Sequence, residues 1–348
     1  MEKITINDIA RLTGLSKGTV DRVLHNRGEV SKSSFEKVMA VIREHGYEPN
    51  LYASLLANKK KHVIAILLPR PDKGSYWELA TSGIRKAEAE EAPFGVQTAL
   101  FTYDEFSADS FRETCAKLLE SQPSGVVIAP MFQYETQVFM QELGKREIPY
   151  VFVDTKLENP SGYLAFYGIP AYKSGYLCAD VLTLGEKVKE VLVVRVMRDK
   201  ERQSDPTIER RAGFLDYIRE FNPSCTIRTL FVSPTDHAAT DEALQAFFSE
   251  FPGVRHIVMF NSRIHLIVPF LERAPIPGMR VVGFDNLRAN MDALQKGLVS
   301  MLIAQHPEKQ IQEAIHTLSE FIVFKRKPAV ADNHMHMDLL TRYNTEDY

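Results

Sequence analysis

Apolar positions in this chain follow two rhythms. Over the first 45 residues they recur every three or four positions in three short groups, the period of an amphipathic helix. Ile6, Ile9, Ala10 and Leu12 form the first group, with Thr5 ahead of them as a cap. Val20, Val23 and Leu24 form the second, set off by Gly14 as the break and Ser16 as the next cap. Phe35, Val38, Met39 and Ile42 form the third, opened by Ser31 and stopped at Gly46. Three short helices around one small core, the first two joined by a tight turn at Thr13-Gly14-Leu15, predict a helix-turn-helix. Its second helix would expose Lys17, Gly18, Asp21, Arg22 and His25. The competing reading is three helices of an ordinary small bundle.

From residue 62 the rhythm changes to continuous apolar runs alternating with helical stretches. "HVIAILLP", "VQTALF", "GVVIAP" and "PYVFVD" read as buried strands, separated by the helix "YWELATSGIRKAEAEE", a helix through Leu119 and one more. The pattern then repeats: a helix from Tyr172 to Leu184, "EVLVVRV", a helix through Gly213-Phe214, "IRTLFV", a helix through Phe248, "HIVMF", a helix from Ser262 to Leu271, and "RVVGFD". This predicts α/β architecture, two Rossmann-like lobes in series, each with a parallel sheet, and a ligand cleft at the carboxyl ends of the strands. The expected domains are 1–48 for the helix-turn-helix, 49–61 for a hinge helix and linker, and 62–348 for the two-lobed body.

Composition narrows the function classes. A chain of 348 residues, 45% hydrophobic and 25% charged, is ordinary globular protein, and no apolar run approaches the roughly 18 residues that span a bilayer. No membrane partner and no secretory signal are expected, and three cysteines without CxxC spacing suit a reducing cytoplasm. Residues 1–62 hold eleven Lys and Arg against seven Asp and Glu, net +4, which leaves the remainder near −7 for a total of −3. A basic head on an acidic body is what nucleic-acid binding through one end requires.

"TINDIARLTGLSKGTVDRVLHNRGEVSKSSFEKVMAVIREHGYEPN" resembles the headpiece of the LacI/GalR family of bacterial transcriptional repressors, without gaps. Thr5, Asp8, Ala10, Gly14, Ser16, Thr19, Val20, Arg22, Val23 and Leu24 stand in register with the family motif, and Gly46 to Asn50 match its "GY-x-P-N". The resemblance implies a recognition helix from Ser16 to His25 and DNA contacts from Thr5, Ser16, Lys17, Gly18, Thr19, Arg22 and Asn26. Asp21, where Ser is commoner, and Gly18, which lacks a base-reading side chain, depart from the pattern. Readout therefore leans on Lys17 and Arg22, whose donors suit guanine, or both contact phosphate. "LYASLLANKKK" is too short to be a stable helix alone. In the family such a hinge folds over the operator centre, which implies Asn50 as cap, Ala53 as close contact and Leu56 as minor-groove wedge. Ser54 stands where many members have Arg. A plain linker with Leu55 and Leu56 packed on the body is the alternative.

Strand ends nominate the cleft. Tyr76, Trp77, Asp104, Arg210, Asn261, Arg263, Asp285 and Gln305 are the candidate effector-binding residues. Aromatic faces stack on sugar rings, though Tyr76 and Trp77 could equally be core. The resemblance implies that Arg210, Asn261 and Asp285 hold ligand hydroxyls, while Asp285 could instead cap a helix starting at Leu287. No GxGxxG, Walker A, GxSxG or HExxH motif occurs, so no catalytic residue or cofactor is expected. His334 and His336 would share one strand face, but no third metal ligand lies nearby in sequence, so no metal is expected. The expectation is a cytoplasmic homodimer on double-stranded operator DNA, controlled by a small-molecule effector, a sugar or sugar derivative. A solute-binding protein of the same two-lobed fold is the alternative, and it leaves residues 1–60 unexplained.

Overall fold

The computed structural model describes residues 4–24, 30–45, 61–157, 160–197, 206–346 and 348. It divides into two compact units, residues 1–60 and 61–348.

In the first unit, α1 (Ile6–Thr13), α2 (Lys17–Leu24) and α3 (Lys32–His45) enclose Ile9, Val20, Val23 and Val38. Thr5 caps α1 reciprocally with Asp8: the Asp8 amide donates to Thr5 Oγ1 at 3.3 Å and the Thr5 amide to Asp8 Oδ2 at 3.0 Å. The Thr5 hydroxyl also donates to Asp8 Oδ2 at 2.7 Å, and that bond first, then the one from the Thr5 amide, holds the Asp8 carboxyl below its ordinary range. Gly14 ends α1 at φ +67°, where a Cβ would be strained. Leu12 and Phe35, expected in the core, are instead 50% and 45% exposed. Four small side chains at the centre cannot surround every residue of three apolar stripes.

The second unit contains two six-stranded sheets. The first lobe has β1 (His62–Pro69), α4 (Tyr76–Glu91), β2 (Val96–Tyr103), α5 (Ala108–Glu120), β3 (Gly125–Ile128), α6 (Gln133–Lys145), β4 (Tyr150–Val153) and β5 (Ala165–Gly168). The second has α7 (Ala171–Thr183), β6 (Glu190–Val196), α8 (Pro206–Phe221), β7 (Thr226–Val232), α9 (His237–Glu250), β8 (His256–Val258), α10 (Val268–Arg273), β9 (Arg280–Phe284), α11 (Arg288–Gln295) and β10 (Met301–Ala304).

The lobes are not simply in series. After β10 the chain returns to the first lobe as α12 (Pro307–Phe324), whose Ile311, Ala314, Ile315, Leu318 and Ile322 complete that lobe's core. β11 (Asp332–His334) then joins the first sheet beside β5, and β12 (Asp338–Leu340) joins the second, antiparallel to β10. The strand orders are β11-β5-β4-β3-β1-β2 and β12-β10-β9-β8-β6-β7. Crossings therefore fall at Ile169-Pro170, Gln305-His306 and Met335-Met337.

Two expected details change. The stretch from Ser262 to Leu271 is a 3-10 turn (Ile264–Ile267) followed by the short α10. Pro269 supplies no N–H to continue a longer α-helix through it. His334 ends β11, so His336 lies beyond the strand and the two do not share its face; both are exposed.

A candidate ligand cleft and a candidate DNA-reading helix

In the headpiece, Ser16 Oγ accepts the Thr19 amide at 3.1 Å, as a cap of α2 should, and its hydroxyl meets that of Thr19 at 2.9 Å. Val20 and Val23 point inward, which turns Lys17, Gly18 and Arg22 to solvent and leaves Thr19 half-buried. Arg22 Nε donates back to the Gly18 carbonyl at 3.2 Å. His25, Asn26, Asn50, Ala53 and Leu56 lie outside the described residues, as does the expected hinge helix.

In the body, the carboxyl ends of both sheets surround a cavity of about 430 Å³. Tyr76, Trp77, Arg210, Asn261, Arg263, Asp285 and Gln305 line it. Asp104 does not: its carboxylate turns back to accept the Phe106 amide at 2.9 Å, and the next two residues, Glu105 and Phe106, face the cavity instead. A larger hollow of about 730 Å³ lies on the first lobe, but its charged lining residues, Glu147 and Lys327, are exposed. The cleft gathers buried charge, which makes it the better ligand site.

The second lobe supplies a buried trio. Gln305 Nε2 donates to both oxygens of Asp285, at 2.9 and 3.0 Å, while Gln305 Oε1 accepts from Arg210 Nη2 at 2.5 Å. Arg210 Nη1 donates to the Phe260 carbonyl at 2.8 Å, and its guanidinium lies 4.4 Å from the centre of the Phe284 ring. Among the described residues Arg210 Nε, a buried donor, has no hydrogen-bond partner. Burial raises the Asp285 carboxyl from 3.8 to about 7, against the opposing pull of Arg210 and Gln305. Asp285 does not cap α11, whose first turn has Leu287 as its cap and no capping side chain.

Arg210 reaches this position because α7 and α8 cross almost in contact. A Cβ on Gly175 would sit 1.7 Å from the Arg210 carbonyl oxygen, and one on Gly213 would sit 2.0 Å from that of Tyr172. Only glycine fits at either crossing point.

From the first lobe comes a residue that strand-end reading passed over. Asp154 follows β4 as Asp285 follows β9, and both adopt left-handed backbone, at φ +65° and +68°. Tyr76 Oη donates to Asp154 Oδ1 at 2.8 Å, and burial pushes the Tyr76 hydroxyl up, with the Asp154 charge adding to it. Gln310 links the two clusters: its Oε1 accepts the Asp154 amide and its Nε2 donates to the Gln305 carbonyl, both at 2.9 Å. The repeated ending "VFVD" and "VVGFD" was the available signal. Trp77 is 6% exposed and belongs mostly to the first core, edge-on to Tyr76 at 5.0 Å, with only a margin on the cavity.

Among the described residues no group of three or more His, Cys, Asp or Glu could hold a metal, and no helix is long and apolar enough to cross a membrane.

Comparison with known proteins agrees with this division. Residues 5–50 match the family described as bacterial regulatory proteins, lacI family, and residues 64–326 match a periplasmic binding protein domain. The structure of a protein from Bacteroides fragilis, described as a LacI transcriptional regulator, is similar at TM-score 0.79 and 32% identity, covering 83% of this chain and all of that one. The HTH-type transcriptional regulator DegA of Bacillus subtilis (strain 168) is 28% identical over 185 residues, 53% of each chain, so the match spans about half the length of that relative. An ABC transporter solute binding protein from Agrobacterium vitis, bound with alpha-D-tagatopyranose, shares the fold of the body at TM-score 0.69 and 20% identity, over 82% of this chain and 97% of that one. A basic helix-turn-helix in front of a two-lobed ligand fold, matched in both parts, places the chain: it belongs to the lacI family of bacterial regulatory proteins.

Proposed function

We infer that this protein is a DNA-binding transcriptional regulator whose operator affinity is set by a small polar ligand in the body's cleft. The observation that carries the reading is that one chain joins an exposed Lys17-to-Arg22 helix face to a cleft with a buried Arg210–Gln305–Asp285 trio. One headpiece reads half a site, so the working unit is a homodimer on a pseudo-palindromic duplex. Lys17 and Arg22 contact bases or phosphates, Thr5, Ser16 and Thr19 lie beside the backbone, and Leu56 serves as the wedge that the family resemblance assigns to it. In the cleft, Arg210 Nε offers a donor while Asp154 and Asp285 offer acceptors, a set suited to a sugar or sugar derivative. A cavity of about 430 Å³ lies within the size range of small-molecule sites.

Selection of duplexes from a random pool by the full chain, followed by footprinting, tests the first half. A two-fold symmetric site is expected, and a chain that retains no sequence above background refutes it. Thermal-shift screening against sugars, sugar acids and nucleobases tests the second half.

A further inference from the structure

Asn290, on α11, is fully buried, and its carboxamide bonds to backbone groups and to the ring of His265. The carboxamide is saturated. Nδ2 donates to the carbonyls of Ser262 at 2.9 Å, Phe284 at 3.1 Å and Asp285 at 3.0 Å. Oδ1 accepts the His265 amide at 3.2 Å and meets His265 Nδ1 at 3.0 Å. An amide oxygen can only accept, so the His265 Nδ1 facing it carries a proton, and burial holds the ring below its ordinary range. The segments tied this way are two of those by which the second lobe lines the cleft: one carries Asn261, Arg263 and His265, the other ends in Asp285.

Left-handed backbone at a non-glycine residue is sparsely populated and persists when its surroundings over-determine it. At Asp285 those surroundings are the two carbonyls on either side of its α-carbon, both held by Asn290 Nδ2, together with its own amide bonded to the Ile303 carbonyl at 2.9 Å. Without the carboxamide, two buried carbonyls lose their donor and the peptide after Asp285 is free to rotate. On the reading that the cleft binds an effector, we propose that Asn290 is its positioning residue: one amide fixes two ligand-facing turns of the second lobe against each other and aims the Asp285 carboxylate at Gln305 and Arg210.

The test needs no ligand. The groups that face the Asp285 carboxyl are Arg210, Gln305, Asp154, Glu308 and the Tyr76 hydroxyl, and burial is what holds it high. Its protonation midpoint therefore reports its placement. It is read from the carbon-13 carboxyl signal of the full chain, identified by its loss in Asp285→Asn. Asn290→Ala is expected to lower the midpoint from about 7 by about one pH unit or more, as the carboxylate gains solvent. The control is Asn222→Ala, another buried asparagine of the same lobe, which holds Val188 N and the Glu186 carbonyl at the far end of the sheet. It should cost stability and leave the midpoint in place. If Asn290→Ala does not fold, Asn290→Ser retains one donor and should shift the midpoint in the same direction by less. An unmoved midpoint in the folded Asn290 variant overturns the proposal, as does an equal shift in Asn222→Ala. An effector screen that found nothing would sink the ligand reading while leaving this result standing.

Discussion

Arg263 of the second lobe and Glu105 of the first form an ion pair across the mouth of the cleft, Nη2 to Oε1 at 2.5 Å, with both side chains about one-quarter exposed. The Arg263 guanidinium also lies 5.4 Å from the centre of the Phe106 ring. The pair thus joins the two lobes directly, in addition to the places where the chain crosses between them.

Breaking that pair should loosen the lobes. Glu105→Gln removes the charge at nearly constant shape, and a partly exposed pair is worth about 0.2–1 kcal/mol. Trp77, the chain's single tryptophan, borders the cavity, so acrylamide quenching reads the opening directly. Quenching should rise in the variant, and in the wild type at high salt. Identical quenching in both proteins would show that the pair does not hold the cleft.

Asp285 should make stability depend on pH. Its folded carboxyl binds a proton more tightly than the unfolded one, about 7 against 3.8. The stabilisation is complete below the unfolded value and is lost as pH rises through about 7. Asp285→Asn, neutral throughout, should gain in Tm on the wild type between about pH 4 and about pH 7. A Tm difference that stays constant across that interval contradicts the assignment. Asp285→Ala should abolish the response to effector and spare operator binding.

Lys17→Ala and Arg22→Ala should each weaken operator binding by about 1–3 kcal/mol if they read bases, with relaxed preference at one position. Uniform weakening on every duplex, with a shallower salt dependence, would make them phosphate contacts. If neither change affects binding, α2 does not read DNA.

Gly175→Ala should lower Tm sharply, because the added carbon would lie 1.7 Å from the Arg210 carbonyl oxygen and must force α7 from α8. Overpacking of this kind costs about 1–3 kcal/mol or more. Gly185→Ala, with no atom within 4 Å but φ +72°, separates steric from backbone cost. Calorimetry should rank Gly175→Ala as the more damaging, and the reverse order would disprove the close crossing.

How far the sequence could be read follows from how local each signal is. The helix-turn-helix was legible because caps, break and apolar spacing all sit within a few residues of one another. "YWELATSGIRKAEAEE" forms α4 residue for residue, and "EVLVVRV" forms β6. β5 and β12 were not foreseen, being four and three residues long, and the strand expected through His334 and His336 stops at His334 as β11. Their pairing depends on partners more than a hundred residues away for β11 and β5. The Asp104 assignment failed on a single turn, where the carboxylate found a backbone amide two residues on and Glu105 took the cavity. Asn290 carried no sequence signal, since its importance lies in three carbonyls contributed by two separate loops.

The return of the chain to the first lobe has a consequence for how this protein comes to be folded. That lobe's sheet and core are unfinished until α12 and β11 have been made, although its first strand is the earliest part of the body to be synthesised. The apolar face of β3, where Gly125 packs on Ile322 and Leu318, has no cover during synthesis of the whole second lobe. A body truncated after β10 would therefore contain nearly all of one lobe's residues without their partner helix, and the earlier-made lobe is the one that waits for the later-made to be complete.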